Sequence, residues 1–312
     1  MKLTFEQLKA ISFGAVDVFQ DSNDYFCMHR MTDTQVAAYG ARNPVHAQRA
    51  QKTAGCRLDF WTDSSHLMLH TGAAGLYEIQ VNGLCAATIQ ADSRCTLELP
   101  KGENRVTVLL PEHAVGALRF VHLDEGASLR PHSYDRKFLF LGDSITQGWE
   151  SSRPSTGYVN QVSAFFNAQV LNWAVGGSSF DENTVIPTDY DPDVVFMAYG
   201  TNDYVHWLSR EEFTSVCDGY MQRVKALFPD KPVYCITPIW RADGLLVRPT
   251  GTHAQVCAYI AQRAADMGFV TIDGYTLVPH LADYMSDGFL HPNDLGFAVY
   301  AQNLIKELIT RL

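Results

Sequence analysis

No run in this chain approaches the roughly 18 consecutive apolar residues that a membrane-spanning helix needs. Cysteine is present but unpaired in pattern: the seven residues are odd in number and scattered from Cys27 to Cys257, several among apolar neighbours as in "PVYCITP". That usage describes small buried hydrophobes in a reducing compartment, not a disulfide framework. Positive charge is scarce, with 24 Lys and Arg against 34 Asp and Glu and a formal net charge of −10. This balance argues against nucleic acid or an anionic membrane surface as partner, and leaves a neutral substrate open. The segment "MKLTFEQLKAISFGAVDVF" holds no unbroken apolar core of a secretory signal, and no small-residue cleavage site follows it. A soluble, cytoplasmic protein is the expectation. No C-x-x-C, H-E-x-x-H, phosphate-binding loop or dinucleotide-binding glycine pattern appears, so neither cofactor nor metal is expected. His66 and His70 lie four apart in "HLMLH". The alternation there implies a strand, which separates them by about 13 Å and removes them as a metal pair. No spacing singles out a glycosidase carboxylate pair.

The chain has 312 residues, 46% of them hydrophobic and 19% charged, enough for two domains with sizeable cores. Up to about residue 126 short strand-like runs follow one another: "CRLDFWTDS", "HLMLHTG", "YEIQVNG", "CTLELPKGEN", "RVTVLLPE" and "ALRFVHLDEG". Their alternation and their Gly, Asn, Asp and Pro breaks predict a β-sandwich of jelly-roll type. Within the first fifty residues, "TDTQVAAYGARNPVHAQRAQ" reads equally as a short helix or a loop. Beyond "GASLRPHSYDRK" the period changes. Apolar strands such as "KFLFL", "QVLNWAV", "DVVFMAYG" and "PVYCITP" alternate with amphipathic helical stretches, the signature of a parallel sheet covered by helices. The expected division is a β-sandwich domain over 1–132 and an α/β domain over 133–312.

Ligands of such sheets bind beyond the carboxyl ends of the strands, so the residues that follow each strand carry the chemistry. After the first comes "GDSIT", which places Ser144 at a turn. Asp and Ser are also ordinary helix caps, and Thr146 stands where a G-x-S-x-G elbow would have glycine. After the second comes "NWAVGGSSF", whose glycines permit a tight turn and the approach of an N–H to a ligand. "YGTND" follows the third; Asn202 either closes an Asx-turn or offers an amide donor toward developing negative charge. Just before the last helix, "SDGFLHPNDLGF" sets His291 ahead of a proline, outside any helix, with Asp287 nearby.

In that order, "GDSIT", "NWAVGG", "GTND" and "DGFLHPND" resemble the four blocks of the SGNH, or GDSL, hydrolases over roughly residues 137–312. The resemblance implies a three-layer α/β/α domain with a five-stranded parallel sheet, and esterase chemistry. It assigns Ser144 as nucleophile and His291 as general base. The oxyanion hole falls to the Ser144 N–H, the Asn202 amide and a glycine N–H, for which Gly177 is favoured over Gly176 as the fifth residue after Asn172. The chemistry is sound on its own terms: a serine hydroxyl needs a base within reach, and the tetrahedral intermediate needs donors already aimed at its oxygen. One departure stands out. The family places its acid three residues before the histidine, where this chain has Gly288. Either an extra residue lets Asp287 still orient His291, with Asp283 a distant second, or the site runs as a Ser–His dyad.

Substrate is harder to read than chemistry. Trp149, Trp173, Trp207 and Trp240 all lie in or just after strand ends. Trp173 reads as core, whereas Trp207 and Trp240 are candidate walls of the crevice. Flat aromatic walls suit a neutral sugar, and a β-rich domain ahead of this α/β type resembles the layout of some carbohydrate esterases. An O-acetyl esterase acting on oligosaccharides is therefore expected. A lipase, lysophospholipase or thioesterase is the alternative within the class, and an inactive carbohydrate-binding protein the alternative outside it. For the β-rich half, glycan binding, walling of the site and homo-oligomerisation all stay open.

Overall fold

The computed structural model describes residues 1–312. Two antiparallel sheets form the first half. One runs in the order Ser12–Phe13, Arg57–Thr62, Asn104–Leu109, Tyr77–Val81, Leu84–Ile89, with Arg130–Pro131 added on Arg57–Thr62. The other runs Asp17–Gln20, Phe26–His29, Ala117–Leu123, His66–Thr71, Arg94–Glu98. Alternation decides which side chains meet between them: Leu67 and Leu69 are buried from one sheet, Leu58 and Phe60 from the other. The six runs predicted from alternation are all strands. Five further strands, Ser12–Phe13, Asp17–Gln20, Phe26–His29, Leu84–Ile89 and Arg130–Pro131, lie outside those runs.

A parallel sheet forms the second half. Its strands are β1 (Arg136–Gly142), β2 (Ala168–Asn172), β3 (Val194–Ala198), β4 (Val233–Ile236) and β5 (Val270–Ile272), in the spatial order β2-β1-β3-β4-β5. Both faces are covered, as expected of strands apolar on both sides. Phe138, Phe140, Val170 and Phe196 face one core, which Tyr158–Phe165 and Asp294–Ile309 close. Leu139, Leu141, Leu171 and Met197 face the other, which Arg210–Leu227 and His253–Asp266 close. No helix of the chain is long and apolar enough to cross a membrane.

The ambiguous stretch near residue 40 is a helical hairpin, Asp33–Arg42 followed by Pro44–Ala50. Thr32 and Gln35 form a capping box at its start. Asn43 then caps the second helix, whose first residue is Pro44. Although it lies within the β-rich half of the sequence, the hairpin buries Tyr39 and Ala50 in the core of the parallel sheet. Arg30, 1% exposed, ties the two halves together. Its guanidinium donates to the carbonyls of Lys52 and Arg49 on one side, and of Asn172 and Ala174 on the other. Burial lowers its pKa to about 10, which leaves it charged at neutral pH.

Arg30→Met keeps much of the volume and takes the charged donor from the buried carbonyls of Asn172 and Ala174 and the half-buried ones of Lys52 and Arg49. We expect it to lower the unfolding free energy by about 3 kcal/mol or more, measured by urea denaturation. An unchanged midpoint would show that water or other donors replace the guanidinium.

Candidate active site

β1 ends at Gly142, where a Cβ would stand 2.4 Å from Thr146 Oγ1 and 2.9 Å from the Ala198 carbonyl. Only glycine permits this approach. The chain turns at once into the short helix Ser144–Gln147, with Asp143 as its cap accepting from the Ile145 N–H at 3.0 Å. Ser144 is thereby the first helical residue, so its N–H has no acceptor inside the helix.

Ser144 Oγ lies 2.9 Å from His291 Nε2. The His291 Nδ1 lies 2.8 Å from Asp287 Oδ2. The displaced acid therefore still reaches the imidazole, and the local backbone shows how. Gly288 takes φ +66° with open space around it, a conformation that suits glycine. The loop is pinned at its base by a bridge between Met285 and Pro292 and by the Ser286 N–H donating to the His291 carbonyl at 2.7 Å. Asp287 Oδ1 meanwhile accepts from the N–H groups of Phe289, Leu290 and His291. Partial burial pushes the Asp287 carboxyl up; the Leu290 N–H, the His291 ring and the N–H groups of Phe289 and His291 outweigh it and hold the pKa below its usual range. Such a chain can draw the hydroxyl proton onto the imidazole and stabilise the resulting cation.

The loop after β2 crosses beside this chain. The Asn172 amide donates to the Thr146 carbonyl at 3.0 Å, and the Val175 N–H to the Gly142 carbonyl at 2.9 Å, tying it to the Ser144 turn. Gly177 has φ +80°. Its N–H makes no hydrogen bond within the protein. After β3, Asn202 Nδ2 donates to the Ser178 carbonyl at 2.9 Å, which uses one of its two hydrogens.

A cleft of about 340 Å³ continues from Ser178, lined among others by Arg42, His46, Ser179, Asp181, His206 and Trp207. Trp207 stands in its wall, its indole N–H donating to Asp203 Oδ1 at 2.8 Å and its ring carrying the Arg42 guanidinium at 4.8 Å. Trp240 lies outside that lining; it packs on the core of Phe138, Phe140 and Phe196 and stacks on His280 at 6.1 Å. Trp173 is buried core, as its position implied.

Sequence reasoning passed over the hairpin. His46 and Arg49 lie three apart on the second helix of the hairpin, a spacing that sets them on one face of it. Nothing in the sequence said that this face meets the Gly177 loop. Burial, followed by the charges of Arg49, His206 and Arg42, lowers the His46 pKa, favouring the neutral ring.

Two buried acids sit behind the reacting groups. Burial first, then neighbouring Asp203, raises Asp143 to about 7. Asp203 is raised to about 6, chiefly by burial and against the donors Trp207 and Phe180.

The sequence over residues 140–299, just over half of the chain, matches the model of the GDSL-like lipase/acylhydrolase family. No curated protein sequence matches the chain. Among solved structures, a salicylyl-acyltransferase, SsfX3, from a tetracycline biosynthetic pathway is similar at a TM-score of 0.80 and 20% identity, over 96% of this chain and 94% of that one. A family two carbohydrate esterase from Cellvibrio japonicus is similar at 0.67 and 16%, over 97% and 96% of the two chains. One from Clostridium thermocellum, solved in complex with cellohexaose, is similar at 0.61 and 19%, over 83% and 93%. At these identities the likeness shows the fold, with a β-rich half ahead of the α/β half.

A raised carboxyl means that the folded state holds a proton the unfolded chain releases. Its contribution is therefore favourable at low pH and is lost as pH rises from the ordinary value of 3.8 to about 7. The melting temperature of Asp143→Asn, relative to the parent, is expected to climb across that window and level off above it. A difference independent of pH would place Asp143 in the ionised form throughout.

Proposed function

The chain belongs to the GDSL-like lipase/acylhydrolase family and is a carboxylic ester hydrolase; from that premise we propose that it is a serine O-acetyl esterase acting on carbohydrate esters. The reading rests above all on the chain of contacts from Ser144 through His291 to Asp287, at 2.9 and 2.8 Å.

In this mechanism Ser144 Oγ attacks the ester carbonyl while His291 Nε2 takes its proton. Asp287 holds the imidazole so that Nδ1 carries its proton, and stabilises the imidazolium. The tetrahedral oxyanion is received by the N–H groups of Ser144 and Gly177 and the remaining hydrogen of the Asn202 amide. Removal of one such donor in known enzymes costs on the order of 10²–10³-fold in rate. His291 then protonates the sugar oxygen as its bond to the carbonyl carbon breaks, releasing the sugar hydroxyl and leaving an acetyl group on Ser144, and afterwards activates the water that hydrolyses it. Residues 133–312 carry this chemistry; the β-rich 1–132 shapes the approach through its hairpin.

Polarity of the cleft supports a sugar. Asn43, Ser178, Ser179, Asp181 and Thr184 line it with donors and acceptors, and Trp207 gives it one flat wall. An aliphatic acyl chain would bury little apolar surface there and would desolvate these groups without partners. Four buried cysteines among seven unpaired ones favour a reducing compartment, and hence acetylated oligosaccharides inside the cell.

The p-nitrophenyl ester series tests this directly. Acetate is expected to be cleaved fastest, with activity falling as the acyl chain lengthens, and Ser144→Ala to be inactive on all of them. Preference for long-chain esters would replace the carbohydrate reading with a lipase one. A Ser144→Ala variant at the parental rate would remove Ser144 as nucleophile.

A further inference from the structure

We propose that Arg49, delivered by the helical hairpin, is a positioning residue for the oxyanion hole, acting through the peptide that joins Gly176 to Gly177. The inference rests on the preceding reading, in which the Gly177 N–H receives the oxyanion.

Arg49 Nη1 donates to the Gly176 carbonyl at 2.8 Å. That carbonyl and the Gly177 N–H belong to one trans peptide unit, so they lie in one plane and point in opposite directions. A donor fixed on the carbonyl side therefore sets where the N–H side points. The guanidinium is charged, and a charged donor draws electron density onto the carbonyl oxygen, making the N–H across the unit a stronger donor. The other contacts of this loop leave the Gly177 N–H as its free end. The Gly176 N–H is already taken by Gln147 Oε1 at 2.7 Å, on the helix that begins with Ser144. The Gly177 N–H has no acceptor in the protein.

Arg49 is itself held in place. Its guanidinium lies 4.9 Å from the Trp149 ring centroid, and its carbonyl accepts from the buried Arg30 at 3.0 Å. A Cβ on Gly177 would stand 2.7 Å from Arg49 Nη1, so the glycine is needed for this approach as well as for its positive φ. A packing role alone would not require a guanidinium aimed at one carbonyl beside an unpaired N–H.

The test is the kinetics of Arg49→Ala and Arg49→Lys on p-nitrophenyl acetate, a substrate too small to reach the outer cleft, with Ser144→Ala run alongside. Arg49→Ala should lower kcat by about 10- to 100-fold, less than outright loss of a donor, with KM little changed. Methylguanidinium added to Arg49→Ala should restore part of kcat, and Arg49→Lys should keep an intermediate rate. Melting temperatures of both variants separate loss of fold from loss of rate; if Arg49→Ala does not fold, the kcat of Arg49→Lys decides. A parental kcat in Arg49→Ala, or a rise in KM alone, overturns the proposal while an inactive Ser144→Ala keeps the underlying site. An active Ser144→Ala instead overturns both.

Discussion

Parallel pairing around β1 is the constraint on which the site depends. Phe140 of β1 aligns with Asn172 at the end of β2 on one side and with Phe196 of β3 on the other. Three strand ends therefore reach one edge almost level, and the chain leaves each of them in a different loop. The connection leaving β1 goes to one neighbour and the next connection crosses to the other, which opens the crevice at that point. The turns that carry Ser144, Gly177 and Asn202 leave one edge of the sheet because their strands share a register. His291 enters from a loop 147 residues further along the chain and closes the set.

That edge is held by polar groups that water does not reach. Asn172 bonds the Ser144 turn, Gln147 bonds the β2 loop, and Arg30 bonds that loop from behind. Buried polar groups are expensive unless fully paired, and a fully paired network fixes one arrangement. The result is a rigid edge, and the proposed mechanism needs donors that do not rearrange when charge develops on the substrate. The hairpin extends the same logic. It lies early in the sequence but packs on the parallel sheet, so the β-rich half reaches the site through two short helices instead of through a sheet face.

The fold was legible wherever one period ran uninterrupted. "YEIQV" and "CTLE" alternate apolar with polar residues and are strands; "LCAATI" exposes most of its residues at the sheet's edge and left no such pattern. In the site, each of Ser144, Gly177, Asn202 and His291 follows a recognisable strand or precedes the last helix, which made them readable by position. Asp287 was harder, because its reach depends on a left-handed Gly288 that spacing alone does not reveal. Arg49 was not legible as part of the site, since its contact with the Gly176 carbonyl lies more than 120 residues away along the chain. Trp207 lines a cleft next to Ser178, and its cation–π contact with Arg42 belongs to that same tertiary packing.

The central claim is that His291, oriented by Asp287, makes Ser144 uniquely nucleophilic. It is tested most directly by treating the intact protein with a fluorophosphonate and locating the adduct by peptide mass spectrometry. The account predicts one adduct, on Ser144, formed much more slowly in His291→Ala. An adduct on another serine, or equally fast labelling of Ser144 without His291, would contradict it.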